Sequence, residues 1–186
     1  MAHSHLSPSS AYRWLNCNAA PVMEMRYKDI ASDYALEGTL AHAYCASALK
    51  KSLKQDNSAE LKEIAQIESE HPEFHTNEMD ESVDHYVKYV EQVFAAAKVR
   101  TLDALLEVEV RVNLEGWAHG CFGTSDAIVI ADGVMTVIDF KYGKGKPVSS
   151  IDNPQMMIYA LGALDAYQDL YDIEQVNIVI IQPRID

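Results

Sequence analysis

Val137-Ile138-Asp139-Phe140-Lys141-Tyr142-Gly143 is an apolar run interrupted by one acid and one base two residues apart, closed by a glycine. Side chains alternate along a strand, so Asp139 and Lys141 share one face and Ile138 and Phe140 the other. An acid and an amine buried in such a run each need a partner. The preceding stretch, Ala127-Ile128-Val129-Ile130, reads as a second strand, and Asp132-Gly133 between the two is a strong tight-hairpin signal. A two-residue loop there pairs Ala131 with Val134 and carries Asp126 opposite Asp139. Two carboxylates facing each other are destabilising unless a cation or a shared proton joins them. Hard oxygen donors of this kind suit Mg2+ or Mn2+.

Size and composition limit the rest. The chain has 186 residues and an ordinary apolar content of 48%, enough for one domain with a full core. Cys17, Cys45 and Cys121 form no close-spaced pair, which fits a reducing compartment rather than a disulfide framework. No run approaches the roughly 18 apolar residues of a membrane span, and the N-terminus lacks the pattern of a signal peptide. A soluble, cytoplasmic protein with no membrane partner is expected. The net charge of −13 argues against a broad DNA-coating surface, whose affinity rests on phosphate neutralisation. It leaves room for a small basic mouth, and Lys141, Lys144 and Lys146 cluster in that way.

Upstream, His3 and His5 sit in a polar tail read as a disordered terminus. Ser9 or Ser10 can cap a short helix carrying Trp14, closed by Pro21. Ser32 or Asp33 can cap a longer helix, about 34–53, that contains Glu37-Gly38-Thr39-Leu40-Ala41-His42. Gly38 lies one turn before His42 and suggests the close approach of another backbone. Taken alone, His42 reads as a hydrogen-bonded core histidine. A helical insertion is expected over about 57–100: a charged surface helix broken at His71-Pro72, then a helix whose Met79, Val83, Tyr86, Val87, Val90 and Phe94 form one apolar stripe. His71, His75 and His85 read as a solvated face there.

Leu106-Glu107-Val108-Glu109-Val110-Arg111-Val112 alternates as a half-buried strand does. The three valines are expected inward and Glu107, Glu109 and Arg111 outward, with either glutamate also able to reach a metal. Gly143 to Pro147 reads as a flexible basic loop. Asn153 is a good N-cap with Pro154 at the first helical position. The helix runs to about Tyr167, with Gln155 and Tyr159 on one face and Met157, Leu161 and Leu164 facing the sheet. Val176 to Ile181 reads as a buried strand, and a chain end so close behind it suggests a missing C-terminal part.

The order of elements, with Gly38-x-x-x-His42, Gly123-x-x-Asp126, Asp139-x-Lys141 and Gln155-x-x-x-Tyr159, resembles the PD-(D/E)xK nuclease superfamily. Within it, the pattern resembles the RecB-type exonucleases. Ser7-Pro8-Ser9-Ser10 with Arg13-Trp14-Leu15-Asn16-Cys17 also resembles a phage and prophage family of that kind. The resemblance implies an α/β (α+β) fold with a restriction-endonuclease-like core, arranged as helix, three-stranded antiparallel meander, helix and strand. It implies a metal held by His42, Asp126, Asp139 and the carbonyl of Phe140, with Lys141 positioning or activating the attacking water. Gln155 and Tyr159 would line the site beside the basic loop of Lys144 and Lys146; Glu37 and Glu109 are accessory candidates. The implied activity is a Mg2+- or Mn2+-dependent DNA nuclease, most simply an exonuclease of phage or prophage recombination acting in the bacterial cytosol. DNA and a recombination protein would be its partners. RecB-type relatives that hold an iron–sulfur cluster use three cysteines after the glutamine motif. None follows Cys121 here, so no such cluster is expected. The alternatives are a nuclease-fold module that binds DNA or protein without cutting, and a structural or regulatory phage protein.

Overall fold

The computed structural model describes residues 4, 6–27 and 31–185, so His3 and His5 lie outside the described residues. A 3-10 turn at Pro8–Ser10 leads into two short helices, α1 (Ala11–Asn16) and α2 (Ala20–Glu24). Neither Ser9 nor Ser10 caps α1 with its side chain. The Ser10 hydroxyl turns back to Ser7, and the Trp14 indole N–H donates to Ser7 O at 2.9 Å. Pro21 sits in the first turn of α2, where its missing N–H costs nothing.

Three longer helices follow: α3 (Asp33–Ser52), α4 (Ser58–Glu70) and α5 (Asn77–Arg100). The Ser32 hydroxyl caps α3 by accepting the Ala35 N–H, and Thr76 caps α5 through Met79 N–H. The remainder is β1 (Leu105–Asn113), β2 (Phe122–Ala131), β3 (Val134–Phe140), α6 (Pro154–Tyr167) and β4 (Gln175–Ile181). No helix among the described residues is long and apolar enough to cross a membrane.

The fold is mixed α/β. The four strands lie in sequence order, antiparallel except that β4 runs parallel to β3 across the α6 connection. Asp132 and Gly133 both adopt positive φ (51° and 73°), and Ala131 pairs with Val134, so the hairpin has the expected register. Helices cover both sheet faces. Ala127, Val129, Ile138 and Phe140 pack against α3, α4 and α5, including Leu40, Ile64, Met79, Tyr86 and Val90. Ile128, Ile130, Met135 and Val137 pack against Met156, Tyr159, Ala160 and Ala163 of α6.

The structure departs from the sequence pattern at β1, α6, β4 and Gly38 as well. In β1, Leu106 and Val108 join the core under α3 while Val110 and Val112 join the one under α6. Glu109 lies between them with φ of 55°, a left-handed conformation that flips the strand's faces and ends the simple alternation. In α6, Met157 is 54% exposed; Met156, Ala160 and Ala163 meet the sheet, with Leu161 and Leu164 at the margin. The helix is apolar on most sides, so its small residues decide the contact: a Cβ on Gly162 would come within 2.9 Å of Val112. β4 is a half-buried edge strand rather than a fully buried one. Among the described residues a Cβ on Gly38 would meet nothing within 4 Å, so no close approach requires a glycine there.

Candidate metal centre

The β2–β3 backbone ladder stops at Ala127–Ile138, and the next residues outward are Asp126 and Asp139. Asp126 turns its side chain into the space the ladder leaves. Its Oδ2 accepts the Phe140 N–H at 2.7 Å, and its Oδ1 lies 3.2 Å from Nδ1 of His42 on α3. The imidazole is steadied by Phe140, edge-to-face at 5.3 Å between ring centres, and Phe140 in turn packs on Tyr86 at 5.0 Å. Glu109 completes the group from β1, and one donor atom each from His42, Glu109 and Asp126 lies within 4.8 Å of the others. Ligands about 2.0–2.3 Å from a shared ion stand no more than roughly 4–4.6 Å apart, so small side-chain movements close this group into one coordination sphere. A non-glycine residue in the left-handed region mid-strand costs on the order of 1–3 kcal/mol, and such strain collects at functional sites.

Asp139 stands beside this trio and outside it. It is 2% exposed and leaves the sheet on the α6 side. Lys141 Nζ is 2.9 Å from its Oδ2, an ion pair poorly angled for a hydrogen bond, so that buried oxygen accepts none. Gln155, in the first turn of α6, ties the row together. Its Oε1 accepts from Lys141 at 3.1 Å, while its Nε2 faces Asp139 Oδ1 at 3.4 Å and the Tyr159 hydroxyl at 3.3 Å. Gln155 and Tyr159 sit one turn apart because the Asn153 cap, accepting Met156 N–H, and Pro154 start α6 here. Gly123 is needed beneath Tyr159: a Cβ there would lie 2.9 Å from the ring and 2.7 Å from buried Pro8.

The electrostatics follow from crowding acids out of water. Burial, reinforced by Asp126, raises the Glu109 carboxyl to about 7. Burial and the Asp126 charge raise Asp139 to about 6 against the pull of Lys141. Burial pushes His42 down, but Asp126, Asp139 and Glu109 together outweigh it and hold the imidazolium up to about 9. Its side chain is still 33% accessible, so the group opens to solvent. A site that retains protons this strongly is short of positive charge. One imidazole nitrogen and two carboxylates, from His42, Glu109 and Asp126, fit a divalent cation. The nitrogen donor makes Mn2+ as suitable as Mg2+.

Other sequence candidates lie elsewhere. Glu37 faces Arg184 at 3.5 Å, in a separate ion network with Glu78. Lys144 pairs with Glu78 at 2.7 Å. Lys146 is exposed, and its carbonyl accepts from Gln182 at 3.1 Å. Phe140 meets the site through its N–H. His75 is no free solvated histidine: its two ring nitrogens face Glu68 (2.8 Å) and Asp80 (2.9 Å), tying α4 to α5. The sequence offers Glu109 only as an accessory candidate beside Glu37, and on an outward face; the regular alternation of β1 conceals the backbone flip that turns Glu109 toward α3.

The chain belongs to the family described as protein of unknown function DUF2800. The family model matches residues 3–186, so His42, Glu109, Asp126, Asp139, Lys141, Gln155 and Tyr159 all fall inside it. For this DUF2800 chain the cluster of His42, Glu109 and Asp126 is a plausible seat for a divalent cation, and hence for a metal-dependent active site.

Proposed function

We propose that this DUF2800 chain is a divalent-metal-dependent DNA nuclease on a restriction-endonuclease-like core of the PD-(D/E)xK kind. Its simplest form is an exonuclease acting in phage or prophage DNA processing in the bacterial cytosol, beside a recombination partner. The observation that carries this reading is the meeting of His42, Glu109 and Asp126 next to the Asp139–Lys141–Gln155 row.

His42, Glu109 and Asp126 would hold the ion, with Asp139 and the Phe140 carbonyl as further candidates. A bound divalent ion supplies water of lowered pKa and relief of charge on the phosphoryl oxygens. Lys141 sets a positive point charge against the scissile phosphate, held in place by Asp139 and by Gln155 Oε1. Tyr159 fixes the Gln155 amide and so the direction of the ammonium.

A DNA- or protein-binding module without cleavage is the second reading. Its protein-binding form is favoured by the net charge of −13 and by the pairing of Lys144 with Glu78, both of which weaken attraction to phosphates. Incubation of linear single- and double-stranded DNA with Mn2+ separates the two. The nuclease reading expects nucleotide release that Asp139→Ala abolishes in a folded protein. Tight binding without cleavage, or an Asp139→Ala variant as active as the wild type, contradicts it.

A further inference from the structure

Residues 182–184 leave the end of β4 and run back along the loop between β3 and α6. The Lys141 N–H donates to Ile181 O at 2.8 Å, so the two segments begin as neighbours. Gln182 then uses both ends of its amide. Nε2 donates to Gly143 O at 2.8 Å and to Lys146 O at 3.1 Å, and Oε1 accepts the Val148 N–H at 3.0 Å. One side chain thus grips the loop at its start, middle and end. Arg184 adds a second grip, donating to Tyr142 O at 3.2 Å with its guanidinium 4.0 Å above the Tyr142 ring. Its side chain is only 9% exposed, between Glu37 and Glu78.

The Gly143–Val148 loop has no helix or strand of its own, and a Cβ at Gly143 or Gly145 would touch nothing within 4 Å. Ordering two unpacked glycines is entropically expensive, so such a loop stays put only if something outside it supplies the bonds. Gln182 supplies three, all to backbone atoms. The loop begins two residues after Lys141 and carries exposed Lys146 and Lys144, whose ammonium pairs with Glu78 at 2.7 Å and would exchange that partner for a phosphate, so fixing the loop fixes the backbone that presents both.

We propose that Gln182 is a positioning residue for the substrate. It presets the loop so that Lys144 and Lys146 meet the phosphate backbone of the strand entering the metal centre. This rests on the nuclease reading above. The test is the affinity of the full chain for a labelled single-stranded oligonucleotide, by fluorescence anisotropy with Ca2+ replacing Mn2+ to suppress cleavage. Gln182→Ala should bind about tenfold more weakly, equivalent to about 1.4 kcal/mol. Its affinity for Mn2+ should stay that of the wild type. In a Lys144→Ala/Lys146→Ala background the same change should cost less than about twofold, because its effect passes through those lysines. Gln182→Glu keeps the bond from Val148 N–H and loses both donors. It should weaken binding too, and it serves if the alanine variant does not fold. A Gln182 variant that binds like the wild type, or that loses the same factor without the two lysines, overturns the inference alone. A wild type that binds no oligonucleotide overturns it together with the nuclease reading.

Discussion

Two groups of side chains share the end of the β2–β3 hairpin and satisfy their charges differently. The row on the α6 side balances one carboxylate, Asp139, against one ammonium, Lys141, with Gln155 joining them. The trio on the α3 side sets two carboxylates, Glu109 and Asp126, against one imidazole, and retains protons to hold itself together. Counted in formal charge, the first group is neutral from its own residues and the second carries the deficit. The cation is therefore expected in the trio, and the fixed positive charge for a substrate phosphate in the row.

The widest separation of the two groups comes from removing the ammonium. Lys141→Ala should lower kcat by about 10²–10³, the usual effect of losing one electrostatic contact to a transition state, with Mn2+ affinity little changed. Single-turnover cleavage alongside metal titration checks both halves, and a parallel loss of Mn2+ binding would merge the two groups into one.

The pH dependence of the metal-free protein probes how tightly the acids of both groups are crowded. Glu109 and Asp139 titrate near 7 and 6 when folded, against ordinary values of 4.5 and 3.8. The folded state therefore binds more protons between about pH 4 and 7, and stability falls as pH rises through that window. His42, raised from 6.5 to about 9, stabilises fully below 6.5 and loses that contribution as pH climbs through 9. The metal-free melting temperature should thus fall from pH 5 to pH 9. Added Mn2+ should raise it more at pH 8 than at pH 5, where protons compete for the same donors. A flat profile would mean the acids are not crowded as described.

Smaller effects come from the scaffold. Gly123→Ala forces a methyl into Pro8 and Tyr159 and should destabilise by about 1–3 kcal/mol. It should also lower activity by displacing Tyr159 from Gln155, while Mn2+ binding persists. Glu109→Gly should do the reverse. Relief of left-handed strain and of a buried acid outweighs the added chain entropy, so the metal-free protein should gain about 1 kcal/mol at pH 8. Thermal unfolding with and without Mn2+ should show that gain together with loss of the metal response.

How far the sequence discloses this arrangement depends on whether backbone or side-chain pattern sets each part. Asp132-Gly133 can make only a few tight turns, so the register from Ala131–Val134 to Ala127–Ile138 is readable; that Asp126 turns to His42 and Phe140 instead of facing Asp139 is not, because the ladder ends before that pair. Asn153-Pro154 likewise determines where α6 begins, and so the pairing of Gln155 with Tyr159. The face of β1 is not readable, because Glu109 adopts a left-handed conformation without a glycine to announce it. Nor is the sheet-facing side of α6, where Leu161 and Met157 look better suited than Ala160 and Ala163 until the closeness of Val112 to Gly162 is known. Gln182 and Arg184 carry no pattern at all; their role comes from where the end of β4 places them.

The most direct test is Mn2+ binding followed by electron paramagnetic resonance on the wild type and on His42→Ala, Glu109→Gln, Asp126→Ala and Lys141→Ala. One tightly held ion is predicted in the wild type and in Lys141→Ala. In each of the other three its affinity should fall by at least about 10–100-fold. Undiminished binding in Asp126→Ala or Glu109→Gln would contradict the assignment of the cation to this trio.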